Sequence, residues 1–282
     1  MLKIKFRHLT YFFSFLLSAS LAGCSTVAPN YKTVGNLNNL SQLQDLHAAV
    51  VTAKKADMNK LHAQALQDVA MSVGAQAGLA WRSKAVNTLL TKNASYLDHI
   101  FNFNLMLLEH NVVPPVLVQG NSSLNLADPR TLRINDRVYQ IISQAHFTTT
   151  PPQWRNYLWM DYQAPDMPLP AFLPKTAEER AIWRTYATLG WKDGINQANS
   201  IFSDNLARLT RDYTGMLLYR SLLLKGMVSK PFVAQTDLGV TGDDSDLHIN
   251  DQIFRITSLP KLQPKASQWN PVVTNDSSPT QQ

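Results

Sequence analysis

Apolar residues recur at every fourth position from about Asp57 onward. Leu61, Ala65, Val69, Val73 and Ala77 make a stripe along one face of a predicted helix. Between Ala70 and Ala80 nearly every side chain is small, and Gly74 and Gly78 stand among them. A glycine inside a helix costs about 1 kcal/mol, so this stretch predicts either a close helix–helix approach or a break. A second helical pattern runs from Trp81 to His110 through Leu89, Leu90, Leu97, Ile100, Phe101, Phe103, Met106 and Leu107, and Pro114-Pro115 closes it.

Past the prolines the period changes to two. Val116-Leu117-Val118 reads as a short strand. Leu132 to Ile134 and Val138 to Ile141 read as a hairpin turning at Asn135-Asp136, because Asn and Asp tolerate the positive φ of a tight turn. The segment 148–174 carries six of the fifteen prolines together with Trp154, Tyr157, Trp159, Tyr162 and Phe172. That aromatic load predicts a connector that is pinned across the surface or docks a partner, with those four Trp and Tyr residues as candidate contacts. A helix starts at Thr176 with Glu179 three positions on, the spacing of a capping box. It ends at Lys225-Gly226, with Gly190 and Gly194 expected to break it in two.

The second half repeats features of the first. Leu132-Arg-Ile-Asn135-Asp136-Arg-Val-Tyr139-Gln-Ile141 aligns with Leu247-His-Ile-Asn250-Asp251-Gln-Ile-Phe254-Arg-Ile256 at an offset of 115, which predicts a second turn at Asn250-Asp251. The expected fold is α+β: long helices on a small antiparallel sheet, in two pseudo-repeated helix–strand–hairpin halves. The halves span 56–147 and 176–260, joined by the connector 148–175. A tail, 261–282, reads as flexible.

The N-terminus reads as an address. Lys3, Lys5 and Arg7 precede an apolar run from Tyr11 to Ala22, too short to span a bilayer. The run ends in Leu21-Ala22-Gly23-Cys24, which holds the only cysteine of the chain. This resembles a bacterial lipobox, so 1–23 is expected to be a lipoprotein signal peptide, Cys24 the lipidated residue and 24–55 a tether. Ser25 after the cysteine favours an outer-membrane destination over the inner membrane.

Composition narrows the remaining choices. Half of the net charge of +6 belongs to the leader, so a nucleic-acid partner is not expected. A single cysteine supplies neither an internal disulfide nor a thiolate metal cluster, and none of the seven histidines has metal-ligand spacing. No cofactor or metal is expected. Asp243-Asp244-Ser245-Asp246 lacks the glycine and distal glutamate of a calcium loop and reads as a solvated turn. Asp161, Asp166, Glu178 and Glu179 could form a glycosidase carboxylate pair, but capping and solvation account for the two glutamates. The chain reads as a non-enzyme.

The run from Asp68 to Arg82, Pro114-Pro115-Val116, Arg133-Ile-Asn135-Asp136, the Pro151–Tyr162 segment and Gly190-Trp191 together resemble the DotC family, related to the conjugation lipoprotein TraI. The resemblance runs from about 56 to 260. It implies a structural lipoprotein of a type IVB (Dot/Icm) secretion core complex, outer-membrane-anchored and facing the periplasm. The implied partners are a DotD-like lipoprotein and a DotH-like subunit, in a multimeric ring that moves effectors into host cells. It carries no catalytic residues. A periplasmic lipoprotein holding a small molecule or lipid between its halves is the alternative.

Overall fold

The structure, a computed structural model, describes residues 33–34, 37–48 and 60–270. The expected signal peptide, Cys24, much of the expected tether and the residues beyond Asn270 lie outside the described residues. In chain order, β1 (Thr33–Val34), α1 (Leu40–Gln44) and β2 (His47–Ala48) precede the long α2 (Lys60–Lys92) and the short α3 (Ala94–Ile100). Then come β3 (Val112–Val113), β4 (Val116–Asp128), β5 (Thr131–Ser143), β6 (His146–Phe147) and α4 (Trp154–Leu158). The chain continues with α5 (Ala177–Leu224), β7 (Phe232–Gly242) and β8 (Leu247–Ser258).

The spine is α5, 48 residues and about 72 Å long at 1.5 Å per residue. Its start is the expected capping box: Thr176 Oγ1 accepts from the Glu179 N–H, and the Glu179 carboxylate accepts from the N–H groups of Thr176 and Lys175. Its end is also as expected, with Lys225 as cap and Gly226 at φ 67.

The two long helices run parallel. His62 lies beside Glu179 and, further along both, Arg82 donates to Asn199. Between those points the small stretch of α2 meets Gly190 and Gly194. A Cβ on Gly74 would stand 2.4 Å from the Ala187 carbonyl oxygen, and one on Gly78 would stand 2.3 Å from that of Trp191. Reciprocally, a Cβ on Gly190 would meet Met71 O at 2.1 Å and one on Gly194 would meet Ala75 O at 2.0 Å. The backbones touch directly, as small-xxx-small pairs permit. The glycines therefore do not break α5 as the sequence suggested; contact with α2 offsets their helix penalty, and α5 is continuous.

Three core clusters line up along α5. The first gathers Leu66, Ala70, Ala77, Trp183, Ala187 and Trp191, together with Leu37, Leu43, Leu46 and Ala48. Part of the expected tether is thus core. The fully buried Trp183 donates its indole N–H to Leu43 O at 3.0 Å, which satisfies a polar group that burial would otherwise penalise. The second cluster joins Val86, Leu90, Phe103, Trp154, Leu158, Leu209 and Met216, and the third joins Leu117, Tyr219, Leu222 and Val228. The start of the expected flexible tail is pinned beside the third. Leu262 bridges Val228, Gln263 N donates to Met227 O, and Asn270 N donates to Lys225 O.

The strands do not join one sheet. They form four separate antiparallel pairs among the described residues, β1–β2, β3–β6, β4–β5 and β7–β8. The pairs β4–β5 and β7–β8 are long two-stranded ribbons, and both open with the same irregularity. Val116 pairs with Ser143 and the next pair is Leu117 with Ile141; Phe232 pairs with Ser258 and the next is Val233 with Ile256.

The expected turns are displaced. Asn135 and Asp136 lie inside β5, and the real turn is Asp128-Pro129-Arg130-Thr131, where Asp128 Oδ1 accepts from Arg130 N at 2.7 Å. Proline has no N–H to give a ladder, so it belongs in the turn, and turning there pairs all of β4. Asn250 and Asp251 likewise lie inside β8. Asn250 does adopt positive φ, 58°, but it spends it on a bulge opposite Gly239. The turn of that ribbon is the Asp243–Asp246 loop.

Candidate interaction surface

The aromatic connector divides into a buried and an exposed part. Trp154 is 1% exposed and donates its indole N–H to Asp98 Oδ1 at 2.6 Å, so it is a core residue and not a partner contact. Arg155 holds the same carboxylate and its guanidinium lies 4.3 Å from the Trp154 ring. Tyr157 is half-buried. Its ring stacks on Phe103 with centroids 6.0 Å apart, and Tyr213 meets Phe103 edge-on. Burial, then the nearby Asp212 carboxylate, push the Tyr157 hydroxyl up to about 12.

Trp159 and Tyr162 do face solvent. Between them Met160 is clamped to α2: Asn87 Nδ2 donates to Met160 O and Asn87 Oδ1 accepts from Met160 N. The two aromatics edge a groove of about 620 Å³ whose other wall is Trp81, Lys84 and Thr88 of α2. Trp81 in that wall leans on Trp191 behind it, with centroids 5.7 Å apart.

The larger exposed apolar surface is on the ribbons. On β4–β5 the directly opposed pairs Leu124–Ile134 and Leu126–Leu132 lie on one face, all four between 55% and 68% exposed. On β7–β8, Val240 pairs with Ile249 and Gly242 with Leu247, and the three side chains are again 64% to 70% exposed. Several of these residues read as strand positions in the sequence but were not singled out as a contact surface. The signal was present in the alternation Leu124-Asn-Leu126 and Leu132-Arg-Ile134 on either side of Asp128-Pro129.

Ribbon bases attach to the body. A Cβ on Gly215 of α5 would stand 2.7 Å from Leu117 O, so β4 lies directly on the spine. The Phe254 ring of β8 lies 4.7 Å from that of His110, which holds positive φ at 60°. The turn of β7–β8 is self-contained: Asp243 Oδ1 accepts from Ser245 N, Ser245 Oγ and Asp246 N. The Ser245 hydroxyl bond, then the two N–H bonds, hold the Asp243 carboxyl below the usual carboxylate range. This carboxylate has its bonds within its own loop, as the reading of a solvated turn expects. Asp161 and Asp166 stay on the exposed connector, while Glu179 is committed to its cap and to His62 at 3.4 Å.

Residues 60–271 match the family described as type IV secretory system, conjugal DNA-protein transfer. The chain belongs to that family. The match opens on the first residue of α2 and closes one residue past the pinned tail segment, so it takes in both long helices, both ribbons and the connector. No curated protein matches the chain. Membership of a type IV secretory family gives it a role in type IV secretion, among the other components of such a system. Among the described residues, no helix is long and apolar enough to cross a membrane.

Proposed function

We propose that this chain is a structural lipoprotein of a type IVB secretion core complex, anchored in the outer membrane through Cys24. There it scaffolds the assembly and placement of DotH-like subunits beside a DotD-like lipoprotein. The observation that carries the reading is the pair of ribbons with large exposed apolar side chains on a chain of a type IV secretory family. A two-stranded ribbon with both faces in water is marginal, so these surfaces suit a subunit completed by its neighbours. The scaffold needs no cofactor and no catalytic group, and the two halves read as a duplication offering related surfaces to different neighbours. The shared register irregularity at the two ribbon bases supports that reading.

The groove beside Trp159 and Tyr162 is the contact assigned to the connector. Trp159→Ala is expected to preserve folding and to lower recovery of the DotH-like subunit in outer-membrane fractions. The second reading is a small molecule or lipid held between the two halves, which predicts thermal stabilisation by the ligand. The deciding experiment is affinity purification of a C-terminally tagged chain from detergent-extracted envelopes, with sizing and mass spectrometry. A large particle holding DotD-like and DotH-like partners is expected; a lone lipoprotein would overturn the scaffold role.

A further inference from the structure

The two ribbons match in shape and differ in charge. Each presents an apolar patch near its tip at corresponding positions: Leu124, Leu126, Leu132 and Ile134 on β4–β5, and Val240, Leu247 and Ile249 on β7–β8. Ribbon β4–β5 carries three arginines, Arg130, Arg133 and Arg137, against two aspartates. Ribbon β7–β8 carries five aspartates, Asp237, Asp243, Asp244, Asp246 and Asp251, against Arg255 alone.

We propose that the β4–β5 ribbon of one copy docks its apolar tip face on that of the β7–β8 ribbon of a second copy, making a head-to-tail contact repeated around the assembly. The proposal rests on the multimeric-scaffold reading and names the surface that builds it. Two β7–β8 ribbons are poor mates, because they would bring ten aspartates together, and two β4–β5 ribbons gain no charge attraction, whereas unlike ribbons bring net +1 against net −4. The apolar faces provide the burial, and the charges steer the encounter and select the partner. A contact between two different patches is heterologous, so it propagates and closes into a ring when the rotation per subunit allows. The occupant is therefore another copy of this chain.

The test uses the full-length chain in its own envelope. Leu126→Cys and Leu247→Cys are introduced singly and together, and the unsubstituted chain is the control for Cys24. A short bis-maleimide is then applied. Expected is a ladder of dimers, trimers and higher species from the double variant, no product from either single variant, and dimers when the two singles are co-expressed. Dimers from one single variant alone would overturn the proposal in favour of like-with-like pairing. A crosslinked monomer without a ladder would assign the contact to one chain's own ribbons. Absence of any product would overturn it as well.

Sizing of the same extracts separates the two levels. A large particle without a ladder removes only the ribbon contact, whereas a lone chain removes the scaffold reading too. As a second arm, Asp244→Lys with Asp246→Lys in the double-cysteine chain is expected to weaken the ladder about tenfold. Adding Arg130→Glu and Arg133→Glu to that chain restores it. A ladder indifferent to these reversals overturns the charge pairing.

Discussion

Where α2 crosses α5, the residues are small and the contact is tight; on the two ribbons, the residues are large and face water. Gly74 and Gly78 let the helix backbones touch over Gly190 and Gly194, so dispersion and close packing act there with almost no side chain. Leu124, Leu132, Ile134 and Ile249 are large apolar side chains that the folded chain leaves more than half exposed. Burial inside this protein therefore follows fit, and apolar side chains that find no fit within the chain stay at its surface.

The sharpest way to break that contrast is to attack the packed side. Trp183→Ala empties a fully buried site and loses the bond to Leu43 O, so it is expected to destabilise by about 3–5 kcal/mol in urea or thermal unfolding. Gly194→Ala adds only a methyl group, yet its nearest atom is backbone of the facing helix. We expect about 3 kcal/mol, at the top of the range for overpacking, with no compensation from better helix propensity. A neutral Gly194→Ala would mean that the helices are not in contact there.

Thr176→Ala is expected to cost about 1 kcal/mol by removing the cap on α5, measured by the same unfolding curves. The ribbon side should respond in assembly rather than in stability. Leu124→Ser with Ile249→Ser is expected to change unfolding free energy by less than about 0.5 kcal/mol while shrinking the purified particle.

The smallest effect concerns the turn. Asp243 is held below its ordinary value in the fold, so its stabilisation is complete above about pH 4 and lost as pH falls through the lower folded value. Amide exchange at Ser245 and Asp246, normalised for intrinsic rate, should lose protection only in that acid window.

Much of the local structure was legible. The Thr176–Glu179 spacing and Lys225-Gly226 located both ends of α5, because caps are made by residues adjacent in sequence. The ribbon turns were misplaced for a related reason. Asn135-Asp136 and Asn250-Asp251 have turn chemistry, and nothing local shows that pairing β4 along its full length satisfies more backbone than turning early. The surface was half legible. Trp154 and Trp159 look alike in a proline-rich segment, and only tertiary packing puts the first in the second core cluster beside Asp98, while Asn87 on α2 clamps Met160 and leaves the adjacent Trp159 at the groove.

What the sequence determined by itself were properties of short range: helical faces, caps, the small stretch at Gly74 and Gly78, and the likeness between Leu132–Ile141 and Leu247–Ile256. Only the tertiary structure decided that Gly190 and Gly194 join rather than divide, that Leu43 and Leu46 belong to the core, and which apolar residues stay in water. The reason is physical. A propensity is settled by neighbours a few positions away, whereas burial is settled by atoms a hundred residues distant competing for the same space.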